Sequence, residues 1–167
     1  LERIHGSAQR MEQVIQDLLS LSRISRSSLA TTEVDLTALA NEVLAETRST
    51  DPQRKCELTV AAGMRVQADP NLLRIALTNL VANAWKFSAK REVVAIEIGQ
   101  QAVTGSDPTF YVRDRGAGFD PAYAGKLFGT FQRLHSASEF PGTGIGLAIV
   151  RRVVERHGGC VRGEGAV

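Results

Sequence analysis

Apolar residues recur at Leu1, Ile4, Ala8, Met11, Ile15, Leu18 and Leu21, an alternation of three- and four-residue steps. That is the stripe of a helix that packs on other helices. The opposite face carries Glu2, Arg3, Gln9, Glu12, Gln13 and Gln16, and Gly6 weakens the helix slightly. From Ser22 to Thr32 the chain turns to Ser, Arg and Thr, the composition of a linker. Glu33-Val34 reads as a short strand, Asp35 as an N-cap and residues 36–46 as a helix. After a polar turn at 51–55, residues 56–60 and 64–68 read as the two strands of a hairpin joined through Ala61-Ala62-Gly63. Asp69-Pro70 is an N-cap followed by proline in the first turn and opens a helix to about Ser88. Residues 93–98 and 109–113 alternate as strands. Residues 116–144 form a long Gly- and Phe-rich stretch with one helical patch at 121–128. A loop this long inside a compact domain is usually functional, and a lid over 119–141 is expected. Residues 145–157 make a last helix closed by Gly158-Gly159, and 160–162 begin a strand.

Composition narrows the classes. The 167 residues suit one domain with a well-buried core plus a short appendage. At 43% hydrophobic and 23% charged, the chain has the make-up of an ordinary soluble protein. A net charge of +2, with few aromatics and none interleaved with basic runs, argues against nucleic acid as a partner. Cys56 and Cys160 lie far apart, without CxxC spacing, and read as reduced thiols of a cytoplasmic protein rather than a disulfide or zinc site. No apolar run reaches the length of a membrane span. Leu1 falls in the middle of a helical pattern, so the chain is expected to be a piece of a longer one.

Three segments carry chemistry. In Asn79-Leu80-Val81-Ala82-Asn83-Ala84-Trp85-Lys86-Phe87, Asn79 and Asn83 project from one helical face while Leu77, Leu80, Val81 and Ala84 fill the other. Neutral amide oxygens suit a hard cation that already has phosphate oxygens and waters as ligands, and Lys86, one turn on, can meet a phosphate. The plain alternative is the solvent face of an amphipathic helix. In Asp114-Arg115-Gly116-Ala117-Gly118-Phe119, a carboxylate at a strand end can accept from an exocyclic amine, and the glycines let backbone approach a flat ring. An ordinary Asp-Gly turn would look the same. In Gly142-Thr143-Gly144-Ile145-Gly146-Leu147-Ala148, backbone amides at a helix start favour phosphate. This is neither the dinucleotide GxGxxG nor a Walker loop, and alone it reads equally well as a hinge.

In this order the three segments resemble the asparagine box and the two glycine boxes of sensor histidine kinases. Lys126-Leu127-Phe128-Gly129-Thr130-Phe131-Gln132-Arg133-Leu134 resembles the phenylalanine box between them, and Ala148-Ile149-Val150 to His157-Gly158-Gly159 also matches. Arg10-Met11 through Asp17-Leu18-Leu19-Ser20-Leu21-Ser22-Arg23 resembles the end of the second dimerisation helix. The stretch 131–159 is most similar to kinases attached to phytochrome-like or PAS-type sensors. Each box is weak; four in order are specific.

The resemblance implies an α+β fold. This is a two-layer α/β sandwich of the Bergerat type shared with gyrase and Hsp90, preceded by a helical dimerisation segment. It divides the chain into the second helix of a dimerisation hairpin (1–25), a linker (26–32) and a catalytic ATP-binding domain (33–167) expected to lack its last strand. It implies ATP and magnesium. Asn83 would be the metal ligand, and Asn79 would hold the second shell or a water. Lys86 would reach phosphate, Phe87 would lie against adenine and Asp114 would accept its amine. Gly116 and Gly118 would shape the base pocket, and Gly142, Thr143, Gly144, Ile145, Gly146 and Leu147 would wrap the phosphates. Arg133 would contact the terminal phosphate. The implied partners are the phosphoacceptor dimerisation domain of the same protein, a response regulator receiver domain, and a second copy in a homodimer. The family's phosphoacceptor motif, His then an acidic residue then Arg-Thr-Pro or similar, is absent. His5 is followed by Gly6-Ser7 and reads as a surface histidine, and His135 and His157 lack the motif too. Gyrase- and Hsp90-type relatives use a glutamate as general base where this chain has Asn79, and an amide cannot take a proton. The rival readings are such an ATPase, or a non-catalytic nucleotide-sensing module.

Overall fold

The computed structural model describes residues 2–101, 108–136 and 139–166; the side chains of residues 2–5 and 10, and with them the reading of His5 as a surface histidine, lie outside the described residues. The chain forms two compact units. One is contiguous, Ala30–Gly118; the other is split in sequence, joining Leu1–Leu29 to Phe119–Val167.

In the contiguous unit the order is β1 (Thr32–Asp35), α2 (Leu36–Ser49), β2 (Cys56–Val60), β3 (Arg65–Ala68), α3 (Pro70–Phe87), β4 (Val94–Gln101) and β5 (Thr109–Asp114). α1 (Glu2–Arg26) belongs to the other unit. Asp35 caps α2 as its sequence predicts, accepting from Ala38 N at 2.9 Å. The apolar faces of α2 (Leu39, Ala40, Val43, Leu44) and α3 (Leu77, Val81, Ala84, Trp85) close over Val94, Ile96 and Ile98 of β4 in one core. Helices and strands thus form the two layers of an α/β sandwich.

The expected hairpin is not formed. β2 pairs in parallel with β4 (Leu58 opposite Ile96), whereas β3 pairs antiparallel with β1 (Val34 opposite Val66). The four residues between β2 and β3, 61–64, therefore carry the chain from one sheet to the other. Thr37 fixes that passage: its hydroxyl donates to Ala61 O at 2.8 Å and accepts from Met64 N at 3.0 Å. Ala61 N also donates to Ile98 O, continuing the parallel ladder beyond Val60. Alternation alone does not say which strand a strand pairs with. β4 pairs antiparallel with β5, and Gly99 faces Tyr111. A Cβ at Gly99 would collide with the Tyr111 ring, whose hydroxyl crosses to donate to Glu97 at 2.6 Å. That hydrogen bond holds the Glu97 carboxyl below its ordinary range and pushes the Tyr111 phenol up.

In the split unit, α1 (Glu2–Arg26) runs beyond the point where Ser-rich composition suggested a linker. Ile24 is buried, and Arg156 donates to Ser27 O at 2.6 Å, to Ser27 Oγ at 2.9 Å and to Ile24 O, so the last carbonyls of the helix are capped from another element. That element is α4 (Gly146–Arg156), which packs on α1 and buries Ala148, Ile149, Val150 and Val153. It ends as expected at Gly158, in the left-handed region (φ 75°), with Gly159 N bonded to Val154 O. On α1, Met11, Ile15, Leu18 and Leu19 remain exposed, so the stripe seen in the sequence is not the face that α4 covers. The strand expected at 160–162 is absent: residues 159–166 join no sheet. Alternate positions pack instead on apolar rings and branches, Gly163 against Leu127 and Gly165 against Phe119, at distances that leave no room for a Cβ. Both cysteines are free thiols.

Asp69 is 7% exposed and accepts three backbone hydrogen bonds, from Asn71 N, Leu72 N and Ala30 N at 3.0–3.1 Å. Asp69→Ala is expected to lower stability by about 2 kcal/mol, toward the upper end for a lost N-cap because Ala30 N is also orphaned. Urea denaturation checks it, and a loss under about 0.5 kcal/mol, the scale of an ordinary surface change, would contradict it.

Candidate functional site

The contiguous unit gathers most of its chemistry at the C-terminal end of α3. Asn79 and Asn83 lie one turn apart, both half-buried. Asn79 Nδ2 donates to Ile75 O at 2.8 Å, which turns its Oδ1 into the outward acceptor. Lys86 and Phe87 follow in the last turn, with the Lys86 ammonium 4.5 Å from the Phe87 ring centroid. The helix ends at Ser88, whose side chain is buried and donates to Ala84 O at 2.8 Å.

Two arginines that sequence reasoning passed over hold this end. Arg54 donates to Ser88 O at 2.7 Å and lies 5.2 Å over the Trp85 ring. Arg91 donates to Gly116 O at 2.9 Å. Neither falls in a motif, and only their long-range carbonyl partners reveal them.

The turn after β5 docks on the same helix end. The exposed Asp114 carboxylate accepts from Gly116 N at 2.8 Å, and Ala117 N donates to Phe87 O at 3.0 Å. A Cβ at Gly116 would lie 2.7 Å from Asp114 Oδ1 and 2.9 Å from the Phe87 carbonyl. Gly118 adopts φ 67°, in the left-handed region that favours glycine. Phe87, Asp114 and Gly116 are thus brought together.

In the split unit, the phenylalanine-rich segment and the second glycine segment are strapped to each other. After a 3-10 turn (Pro121–Lys126), Phe131 N donates to Gly144 O at 2.9 Å. Phe131 is 56% exposed and has φ 62°, a conformation costly for an aromatic residue. Gly144, at φ 75°, has the Phe131–Gln132 backbone 3.0–3.1 Å from where its Cβ would be. Arg133 donates to Phe140 O at 2.7 Å and Gly142 O at 2.8 Å, so its guanidinium shapes the glycine segment. Thr143 Oγ1 accepts weakly from Ile145 N at 3.4 Å and donates to Asp17 Oδ2 of α1. Ile145 is the N-cap of α4 and offers no side-chain cap, and Gly146 and Leu147 open its first turn. Sequence reading placed Asp17 in a helix signature without assigning it this contact.

Among the described residues, no three or more His, Cys, Asp or Glu side chains cluster as a metal site. A hard cation would therefore depend on amide oxygens and on anionic ligands brought by something bound. The amides fit that role: they are half-buried, share a face and carry no charge to be neutralised. A shallow groove beside α2, lined by Asn41, Leu44, Arg48 and Leu58, contains none of the residues singled out by sequence.

Residues 68–166 match the family described as histidine kinase-, DNA gyrase B-, and HSP90-like ATPase, a span that includes every glycine and asparagine motif above. The chain is 36% identical over 160 residues to the methanogenesis regulatory histidine kinase FilI of Methanothrix harundinacea (strain 6Ac), covering 95% of this chain and 18% of that protein. It is 36% identical over 153 residues to cyanobacterial phytochrome B of Nostoc sp. (strain PCC 7120 / SAG 25.82 / UTEX 2576), covering 90% of this chain and 20% of that protein. Among solved structures it is similar to full-length ShkA in complex with AMPPNP, with 26% identity and a TM-score of 0.76 over 99% of this chain and 35% of that one. The chain thus spans 18–20% of the length of these two curated relatives.

Gly116→Ala is expected to cost about 1–3 kcal/mol, since the new methyl meets backbone that must shift. Gly125→Ala, with nothing within 4 Å, should stay within about 0.5 kcal/mol. Paired thermal melts compare them, and equal losses would contradict the close-approach argument.

Proposed function

The chain belongs to the histidine kinase-, DNA gyrase B- and HSP90-like ATPase family, and from that premise we propose that it is the ATP-binding catalytic domain of a sensor histidine kinase. In this reading it transfers the terminal phosphoryl group of ATP to a histidine on the dimerisation domain, for onward transfer to a response regulator. The observation that carries the reading is the half-buried Asn79–Asn83 pair on one turn of α3. Hydrolytic relatives need a base at the Asn79 position to activate water, and an amide oxygen cannot take a proton. A nucleophile that is already basic, a neutral imidazole, needs no such base. Its nitrogen forms the N–P bond as the bond from phosphorus to the bridging oxygen of ADP breaks, and the ring then sheds its proton.

The chain's own contribution is positioning and charge neutralisation. Asn83 would hold magnesium, with Asn79 orienting a water or the metal's surroundings; magnesium when bound supplies charge neutralisation on the phosphates. Lys86 adds a cation for phosphate. Phe87 offers a ring face to adenine, Asp114 accepts its amine, and Gly116 and Gly118 allow the close approach. Gly142, Thr143, Gly144, Ile145, Gly146 and Leu147 supply backbone and hydroxyl donors for phosphate. Arg133 would reach the terminal phosphate by giving up its two carbonyl partners, and residues 119–141 would act as the lid.

The exposed Met11, Ile15, Leu18 and Leu19 of α1 fit the face of a dimerisation hairpin that pairs with further helices and a second copy. No described helix is long and apolar enough to cross a membrane. The reading places the domain in the cytoplasm, either in a soluble kinase or on the inner side of a receptor. The same premise also admits a nucleotide-sensing module without transfer, which the assay below separates.

Asn83→Ala is expected to abolish the magnesium-dependent part of ATP binding, seen as calorimetric titrations that no longer differ with and without magnesium. An unchanged magnesium dependence would remove Asn83 from the site. With ATP labelled in the terminal phosphate, this chain alone is expected to acquire no acid-labile label, because His5 lacks the acidic neighbour that would polarise its ring. An added dimerisation domain with an intact His motif is expected to become labelled. Acid-labile label on this chain that His5→Gln abolishes would overturn the first expectation; absence of transfer to any supplied domain would favour the sensing module.

A further inference from the structure

α4 is fastened along α1 at both of its ends. At the C-terminal end Arg152 donates to Ser25 Oγ at 3.0 Å, and Arg156 caps the carbonyls of Ile24 and Ser27. At the N-terminal end the Thr143 hydroxyl donates to the half-buried carboxylate of Asp17 at 2.5 Å. Between them lie buried Ile24 on one helix and Ala148, Ile149 and Val153 on the other. The two helices therefore run parallel, and Asp17 is presented to the glycine segment by a packed interface rather than by a loose side chain.

We propose that Asp17 is an autoinhibitory latch: a built-in anion that occupies the phosphate-binding glycine segment and must withdraw before a nucleotide triphosphate can be held there. The inference rests on the reading of 142–147 as the phosphate segment. Thr143 has one hydroxyl proton, and Asp17 takes it. The backbone N–H of Ile145 already points at the same hydroxyl oxygen at 3.4 Å. The first turn of α4, with no side-chain cap, favours a negative group, and the Asp17 carboxylate is hydrogen-bonded to Thr143, three residues before that turn. A triphosphate arriving at this turn meets a like charge and a donor already committed. Nucleotide and docked α1 thus compete for one loop. By linkage, whatever moves α1 relative to α4 changes nucleotide affinity, and nucleotide binding loosens α1 by the same factor. A helix of the dimerisation hairpin would in this way report its position to the nucleotide site through a single carboxylate.

The test uses the 167-residue chain, with magnesium-ATP and adenosine as probes in calorimetric titrations and circular dichroism confirming the fold. Asp17→Ala is expected to tighten ATP by about fivefold or more, on the scale of an ordinary allosteric coupling, with adenosine, which carries no phosphate, unchanged. Asp17→Asn removes the charge while keeping a hydrogen-bonding group and is expected to give a smaller gain of the same sign. In a Thr143→Ala background the gain from Asp17→Ala should disappear, because the latch has no counterpart. Unchanged or weaker ATP binding in both Asp17 variants, or equal tightening of ATP and adenosine, would overturn the latch while leaving the nucleotide reading in place. Failure of the parent chain and of every variant to bind ATP would overturn the nucleotide reading, and the latch with it.

Discussion

The polar surface of the contiguous unit depends on α3 being fixed at both ends. At its start the Asp69 carboxylate is buried and accepts from three backbone N–H groups, one of them from Ala30, far back in the chain. At its finish Ser88 is fully buried, and Arg54 takes its carbonyl. The helix cannot slide or roll without breaking one set of bonds, and its apolar face is already committed to the core. Asn79, Asn83, Lys86 and Phe87 therefore present their groups from a rigid element. The turn at 114–118 inherits that rigidity, because its backbone is hydrogen-bonded to the helix's last carbonyl and to Arg91.

This dependence explains which parts of the architecture were legible in the sequence. Helix starts announce themselves locally: Asp35 and Asp69 lie within three residues of the N–H groups they cap, so the chain spells them out. The asparagine and glycine positions were visible for a similar reason, since spacing along one helix or turn is a local property. Strand pairing is not local. β2 and β3 are separated by a few residues yet join different strands, and nothing in their alternation distinguishes a hairpin from a crossover. The deciding element is the Thr37 hydroxyl, about two dozen residues away, which bonds both sides of the passage.

Arginines were the other blind spot. Arg54, Arg91 and Arg156 all donate to main-chain carbonyls, and in sequence each looks like any solvated cation. A guanidinium with five donors can close a helix end or brace a loop without any partner residue of recognisable type. Such contacts leave no pattern, since the carbonyl belongs to whichever residue happens to lie there. The same holds for the end of α1, which polarity assigned to a linker and which Arg156 keeps helical. It holds also for the strand expected to begin at 160–162, where Gly163 and Gly165 pack on Leu127 and Phe119 instead.

The division of one unit across the chain sets an order of assembly. All of the residues of Ala30–Gly118 are contiguous, so that unit has its whole core once Gly118 has left the ribosome. α1 precedes that unit in the chain yet is completed after it: its C-terminal carbonyls wait for Arg156, more than a hundred residues downstream. During synthesis the exposed side chains at Met11, Ile15, Leu18 and Leu19 are accompanied by an equally uncovered Ile24. Closing α4 onto α1 is thus a late, long-range event.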